Sequence, residues 1–163
     1  MLNSVIIDDE QKSRETLGSL LKKYCPDVTV SAMAEDVESG MSAIRTHNPD
    51  LIFLDIEMPR GNGFDLLEKL GKDTHPDVIF TTAYNQYAIK AIKFSAMDYL
   101  LKPIEAEELQ AAVGKALKKK SGNVRDHYRL DALLSNIRGN AAPMKLEVSG
   151  YDGIIFINLP DII

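Results

Sequence analysis

The stretch LIFLD at residues 51–55, continued by IEMP at residues 56–59, decides the fold of this chain. A run of four apolar residues is too short for a helix and is typical of a strand that is buried on both faces. Strands of this kind occur in parallel sheets that carry helices on either side. Asp55, directly after the run, therefore lies at the carboxyl edge of such a sheet, where these folds place their functional groups.

Short apolar runs recur at nearly regular intervals along the first 101 residues, and stretches with helical spacing separate them. This alternation predicts an α/β fold in which a doubly wound, five-stranded parallel sheet is covered by helices on both faces. The predicted strands are Leu2–Ile7, Val28–Ala32, Leu51–Leu54, Val78–Phe80 and Met97–Leu101. The predicted helices follow apolar stripes that begin at Leu17, Val37, Phe64, Ala88 and Leu109, with Asn85 as the N-cap of the fourth helix.

The composition is that of a globular protein, with 45% hydrophobic and 26% charged residues among 163. The single cysteine, Cys25, has no internal disulfide partner, so we expect a reducing compartment, the cytoplasm. No apolar run approaches the ~18 residues of a membrane span, and the N-terminus lacks a signal-peptide pattern, so no membrane association is expected.

Charge divides the chain into two unequal parts. Residues 1–114 contain 11 basic and 19 acidic residues, whereas residues 115–163 contain 8 basic and 5 acidic ones. The acidic part is poorly suited to holding nucleic acid through its phosphates. The basic run Lys118–Lys120 is interpreted as a solvated helix end.

The alternating pattern stops at Lys120. Residues 1–120 are predicted to form one domain, residues 121–143 a connector helix and linker, and residues 144–163 the start of a second, truncated domain. The stripe Leu130–Ile137 admits two interpretations, a helix packed on its own domain or a dimerising coiled segment. Two strands joined by a turn at Asp152-Gly153 are predicted at Lys145–Val148 and Ile154–Ile157.

Polar side chains follow four of the predicted strands. They are Asp8-Asp9-Glu10 after the first strand, Asp55 and Glu57 after the third, Thr81-Thr82 after the fourth and Lys102-Pro103 after the fifth. Clustered carboxylates repel one another unless a cation lies among them, and hard oxygen ligands with room for water indicate Mg²⁺. Zinc is disfavoured because no Cys/His pair has ligand spacing, and His47, His75 and His127 are interpreted as surface residues.

A carboxylate beside a cation can act as a nucleophile toward phosphorus and form an aspartyl phosphate. Asp55, Lys102 and Thr82 are placed to supply the nucleophile, an ammonium group and a hydroxyl for the charged oxygens of a phosphoryl group. No strong general base is evident, which favours a slow phosphorylation switch over a fast phosphatase. No glycine-rich loop follows the first strand, which disfavours nucleotide binding.

Several spaced motifs together resemble the receiver domain of bacterial two-component response regulators. They are Asp8-Asp9, LIFLDIEMP at residues 51–59 with Gly63, FTTA at residues 80–83 and DYLLKP at residues 98–103. The resemblance covers about residues 1–120. The stretch TTAYNQYAIKA at residues 81–91 is most similar to the LytTR subfamily of transcription regulators, and residues 145–163 resemble the first strands of a LytTR-type DNA-binding domain.

The resemblance implies a flavodoxin-like strand order, 2-1-3-4-5, and a histidine kinase that phosphorylates Asp55. Mg²⁺ would be bound by Asp55 and directly by Asp9, by Asp8 through water, and by the main-chain carbonyl of Glu57.

The resemblance also implies how the phosphoryl group is sensed. Lys102 would pair with it, and Thr82 would move toward it. The rotamer of Tyr99, inward or outward, would report that movement. The Lys102-Pro103 bond would be cis. DNA binding would belong only to the full-length protein.

Two further interpretations stay open at this stage. Asp55 could instead be the nucleophile of a phosphatase or phosphotransferase, or the receiver fold could serve as an interaction module that is never phosphorylated.

The face formed by helix four, strand five and helix five suits a symmetric homodimer because it carries charges of both signs. These are Lys90, Lys93, Asp98 and Glu107.

Overall fold

The computed structural model describes residues 1–59, 61–71, 76–122, 145–150 and 153–158 of the chain. Strands and helices alternate through the first 120 residues, as the sequence predicts. The strands are β1 (Leu2–Ile7), β2 (Val28–Ala34), β3 (Leu51–Leu54), β4 (Glu57–Met58), β5 (Gly61–Asn62), β6 (Asp77–Thr82), β7 (Asp98–Leu101), β8 (Lys145–Gly150) and β9 (Gly153–Asn158). The helices are α1 (Gln11–Tyr24), α2 (Val37–His47), α3 (Gly63–Leu70), α4 (Ala88–Lys93) and α5 (Ala106–Lys120).

Five parallel strands form the main sheet in the order β2-β1-β3-β6-β7. This is the flavodoxin-like order implied by the resemblance, since β6 and β7 are the fourth and fifth predicted strands. All four residues of β3 are buried at the centre of the sheet. The pair β4 and β5 is a short antiparallel addition that the sequence analysis did not predict.

Side chains alternate along each strand, so the sheet contributes to two hydrophobic cores. On one face Ile7, Leu54 and Phe80 pack with residues of α2, α3 and α4. On the other face Ile6 and Phe53 pack with residues of α1 and α5. The predicted three-layer arrangement is confirmed.

The start of α4 differs from the prediction. Residues Asn85–Tyr87 form a 3₁₀ turn, so the N-cap position of α4 is Tyr87, which makes no side-chain capping bond. The carbonyl of Asn85 accepts a hydrogen bond from the Ala88 N–H, which closes the tighter turn and moves the start of the α-helix to Ala88. The prediction of Asn85 as the N-cap of α4 is therefore wrong.

The basic run at the end of α5 is also more than a solvated helix end. Lys120 Nζ lies 2.7 Å from Asp50 Oδ2 and 3.1 Å from the carbonyl oxygen of Met1, and Lys119 pairs with Asp77. The hydrogen bond from Lys120, together with one from a backbone N–H, holds the pKa of Asp50 below its usual value. The last turn of α5 is thus tied to the amino edge of the sheet, opposite the predicted site.

The strands β8 and β9 pair antiparallel with Lys145 opposite Asn158. They confirm the predicted hairpin and extend both of its strands. The stripe Leu130–Ile137 and the remainder of the predicted linker lie outside the described residues, and the domain boundaries stay a prediction. Within the described part of the chain, no helix is long and apolar enough to cross a membrane.

Candidate functional site

Three backbone hydrogen bonds carry the register of the sheet one residue beyond its strands. The Asp8 N–H donates to the Ala34 carbonyl at 3.0 Å, and the Asp55 N–H donates to the Ile7 carbonyl at 2.8 Å. Directly after the outer strand β7, the Lys102 N–H donates to the Thr82 carbonyl of β6 at 2.8 Å. The main chain at Asp8, Asp55 and Lys102 is thereby fixed at one edge, which brings the three side chains together.

The ammonium of Lys102 joins two buried carboxylates. Its Nζ lies 2.8 Å from Asp8 Oδ2 and 2.8 Å from Asp55 Oδ2. Asp8 is 2% exposed and Asp55 is 6% exposed. Buried carboxylates this close together need a compensating cation, because water is largely excluded from around them.

Burial raises the pKa of Asp55 above its usual value, although the hydrogen bond and charge of Lys102 oppose the shift. Burial alone would lower the pKa of Lys102, but its hydrogen bonds to Asp55 and Asp8 outweigh that effect and raise it. Lys102 therefore remains a cation near neutral pH. Ionised Asp55 is costly to the fold despite this partner, so the site favours additional positive charge.

Three of the predicted metal ligands present side chains to one another at this edge of the sheet. Asp8, Asp9 and Asp55 each present a carboxylate oxygen, and these oxygens lie within 4.8 Å of one another. Three hard oxygen donors, with Asp9 exposed to solvent, fit a Mg²⁺ ion that keeps some of its water. The Glu57 side chain bonds elsewhere, since its Oε1 accepts a hydrogen bond from the Tyr87 hydroxyl at 2.8 Å. The predicted role of Glu57 concerns its main-chain carbonyl and does not involve this side chain.

An open pocket of about 740 Å³ lies over Asp55 and Lys102. Asp9 and Glu57 also line it, and Tyr84 and Tyr87 form an aromatic part of its wall. These two tyrosines were not among the predicted site residues. Their place in the segment that follows β6, at the carboxyl edge of the sheet, is the signal in the sequence that points to them.

Thr82 and Tyr99 both form a hydrogen bond with the main chain of Tyr84, which lines the pocket. The hydroxyl of Thr82 is buried and accepts a long hydrogen bond, 3.4 Å, from the Tyr84 N–H. Tyr99 is 2% exposed, and its hydroxyl donates to the Tyr84 carbonyl. The inward orientation of Tyr99 is one of the two orientations that the resemblance implies.

Two backbone features complete the site. The Lys102-Pro103 peptide bond is cis, as expected. Gly63 begins α3 so close to the main chain of Asp55 that a β-carbon at residue 63 would overlap the Asp55 carbonyl oxygen. A glycine at this position therefore allows α3 to pack directly beneath the nucleophile candidate.

Residues 5–114 match the family model of the response regulator receiver domain. The chain belongs to this family. It is 35% identical over 164 residues to the sensory transduction protein LytT of Bacillus subtilis, an alignment that covers 100% of this chain and 64% of that protein. It is also 43% identical over 122 residues to LytT of Enterococcus faecalis, covering 72% of this chain and 49% of the relative. The chain thus spans 64% and 49% of the length of these two relatives.

A solved structure gives the same receiver fold. The N-terminal domain of an uncharacterized protein (WS1339) from Wolinella succinogenes superposes with a TM-score of 0.66 at 30% sequence identity. The match covers 76% of this chain and 100% of that domain. The chain is a two-component response regulator by family, and its receiver domain holds the buried acid–lysine cluster described above.

Replacing Asp55 of the receiver with asparagine is expected to stabilise the fold at pH 7, on the order of 1 kcal/mol. The folded pKa of Asp55 is raised, so wild type loses stability as pH rises through the ordinary carboxyl value toward the folded pKa. The gain should therefore be present at pH 7 and vanish below about pH 3, where the carboxyl group is protonated in both states. Urea unfolding without divalent cations measures it.

Asp27→Asn, at an exposed position, is the matched control and should change stability little at either pH. An Asp55→Asn variant that is less stable than wild type at pH 7 would contradict the assigned cost of the buried charge.

Proposed function

We propose that Asp55 of this receiver domain accepts a phosphoryl group from a sensor histidine kinase in a Mg²⁺-dependent reaction. The observation that carries the proposal is the buried Asp55 carboxylate, which lies 2.8 Å from the Lys102 ammonium at the floor of an open pocket. A nucleophile with an adjacent fixed cation is suited to phosphoryl transfer, which depends mainly on positioning and charge neutralisation. We place this activity in the cytoplasm.

In the proposed reaction, an oxygen of Asp55 attacks the phosphorus atom of a phosphohistidine. A P–O bond forms, the P–N bond breaks, and the imidazole leaves with the electron pair of that bond and takes up a proton. Lys102 neutralises one phosphoryl oxygen, and the Thr82 hydroxyl moves to donate to another. Mg²⁺ bound by Asp8, Asp9, Asp55 and the main-chain carbonyl of Glu57 would supply further positive charge.

The proposed outcome is a switch with two states. Movement of Thr82 toward the phosphoryl group would displace the main chain at Tyr84. The Tyr84 N–H donates to the Thr82 hydroxyl, and the Tyr84 carbonyl accepts a hydrogen bond from the Tyr99 hydroxyl. These shared contacts link the site to Tyr99 and so to the face formed by α4, β7 and α5. We propose that in the full-length protein this face controls a LytTR-type DNA-binding output, of which residues 144–163 are the start.

Intact-mass measurement tests the phosphorylation. With Mg²⁺ and acetyl phosphate, the wild-type chain should gain at most one phosphoryl group, which is then lost slowly. Asp55→Ala should gain none, because Asp8, the other carboxylate that contacts Lys102, does not line the open pocket. Asp27→Ala is the control and should behave as wild type does.

Three other results of this measurement would contradict the proposed phosphorylation switch. Equal labelling of Asp55→Ala, or no labelling of wild type, would overturn the proposal, and the latter would favour an interaction module. Multiple turnover on a generic phosphate ester would instead favour the phosphatase alternative.

The face formed by α4, β7 and α5 is also the proposed homodimer interface. Lys90, Lys93 and Glu107 are exposed on it. Asp98, which we placed on this face from the sequence, is not available there, because it is 1% exposed and lies 2.6 Å from Lys115 Nζ. Opposite charges on a symmetric interface pair twice, so the remaining three residues still suit a dimer.

Sedimentation should show a larger mass after acetyl phosphate treatment of wild type and no change for Lys93→Glu, which reverses one charge of this face. Lys22→Glu, at an exposed position on α1, is the matched control and should still associate. One mass with and without the phosphoryl donor would rule out this interface as a phosphorylation-dependent one.

A further inference from the structure

A hydroxyl on the first turn of α1 contacts the acidic cluster from outside the open pocket. Ser13 Oγ donates a hydrogen bond to Asp8 Oδ2 at 2.7 Å. Ser13 itself is half-buried and is not among the residues that line the pocket over Asp55. It therefore reaches the site only through Asp8.

The Asp8 carboxylate is fixed by three donors from three different parts of the chain. Its Oδ1 accepts the Glu10 N–H at 3.0 Å. Its Oδ2 is shared between Ser13 Oγ at 2.7 Å and Lys102 Nζ at 2.8 Å. Ser13 is thus the one neutral side chain among these donors, and it shares Oδ2 with the Lys102 ammonium.

The main chain of Asp8 is held just as closely. Its carbonyl oxygen accepts a hydrogen bond from Arg14 Nη1 at 2.6 Å, while Arg14 Nη2 lies 3.9 Å from Glu35 Oε2. Arg14 therefore fixes the end of β1, and its neighbour Ser13 fixes the side chain. Rotation of the Asp8 carboxylate is restrained by the Glu10 N–H at Oδ1 and by Ser13 and Lys102 at Oδ2.

Deleting the Ser13 hydroxyl would leave Lys102 as the sole side-chain donor to Oδ2 among the residues that the structure describes. The carboxylate would then lose one of its three restraints, and a cation would have to fix its orientation before Asp8 could contribute to the cluster. Groups that orient a metal ligand in this way typically change metal affinity by ~10–100-fold when they are removed.

We propose that Ser13 is a positioning residue that orients the Asp8 carboxylate so that the acidic cluster of Asp8, Asp9 and Asp55 binds a divalent cation. This inference rests on the proposed function, since that function places Mg²⁺ at the cluster. It adds a residue of α1 that sets how tightly the ion is held before any phosphoryl group arrives.

Calorimetric titration of the unphosphorylated chain with MgCl₂ tests the role of Ser13. Ser13→Thr keeps a hydroxyl, whereas Ser13→Val has nearly the same branched shape without one, so the helix cost of branching is common to both. We expect Ser13→Thr to bind Mg²⁺ about as tightly as wild type and Ser13→Val to bind about tenfold more weakly. Ser13→Ala should show the same loss as Ser13→Val.

Ser19→Ala is the matched control, because Ser19 lies on the same helix and donates only to the Glu15 carbonyl at 2.8 Å. Thermal unfolding in EDTA should place Ser13→Thr and Ser13→Val at similar midpoints, which separates metal affinity from stability. Equal Mg²⁺ affinity of Ser13→Thr and Ser13→Val, or tighter binding by Ser13→Val, would overturn the inference. Absence of Mg²⁺ binding by wild type would instead overturn the metal site of the proposed function, and the inference with it.

Discussion

The contact of Lys102 Nζ with Asp8 and Asp55 is the interaction on which the site depends. It places one positive charge between two carboxylates that are almost fully buried. One ammonium does not fully compensate two such charges, and the raised pKa of Asp55 expresses the remaining cost. Additional positive charge at this edge would therefore stabilise the site. We propose that Lys102 exchanges its contact with a carboxylate for a contact with a new anion.

The strand order of the parallel sheet brings Lys102 to Asp8 and Asp55. Asp8, Asp55 and Lys102 are far apart in the chain, but each follows a strand directly and stays in register by one further backbone hydrogen bond. The first turns of the helices that follow the strands add fine positioning. Gly63 lets α3 approach the Asp55 main chain, and Ser13 and Arg14 of α1 hold Asp8 from the other side.

The apolar runs and the carboxyl-edge rule were enough to predict the five-stranded sheet and the convergence of Asp8, Asp55 and Lys102. Short-range polar contacts were not predictable in this way, because they depend on side-chain directions that periodicity does not contain. The Ser13 contact with Asp8 and the tyrosine wall of the pocket are examples. Asp98 was misassigned to the surface for the same reason, since only the packing of α5 reveals its pairing with Lys115.

A crystal structure with Mg²⁺ and fluoroberyllate tests most directly whether Lys102 exchanges partners. Fluoroberyllate bonds to a carboxylate oxygen and imitates a phosphoryl group in size and charge. We expect fluoroberyllate on Asp55, with Lys102 Nζ contacting it and no longer joining Asp55 to Asp8. Fluoroberyllate on another residue, or Lys102 still bridging the two carboxylates beside a modified Asp55, would contradict it.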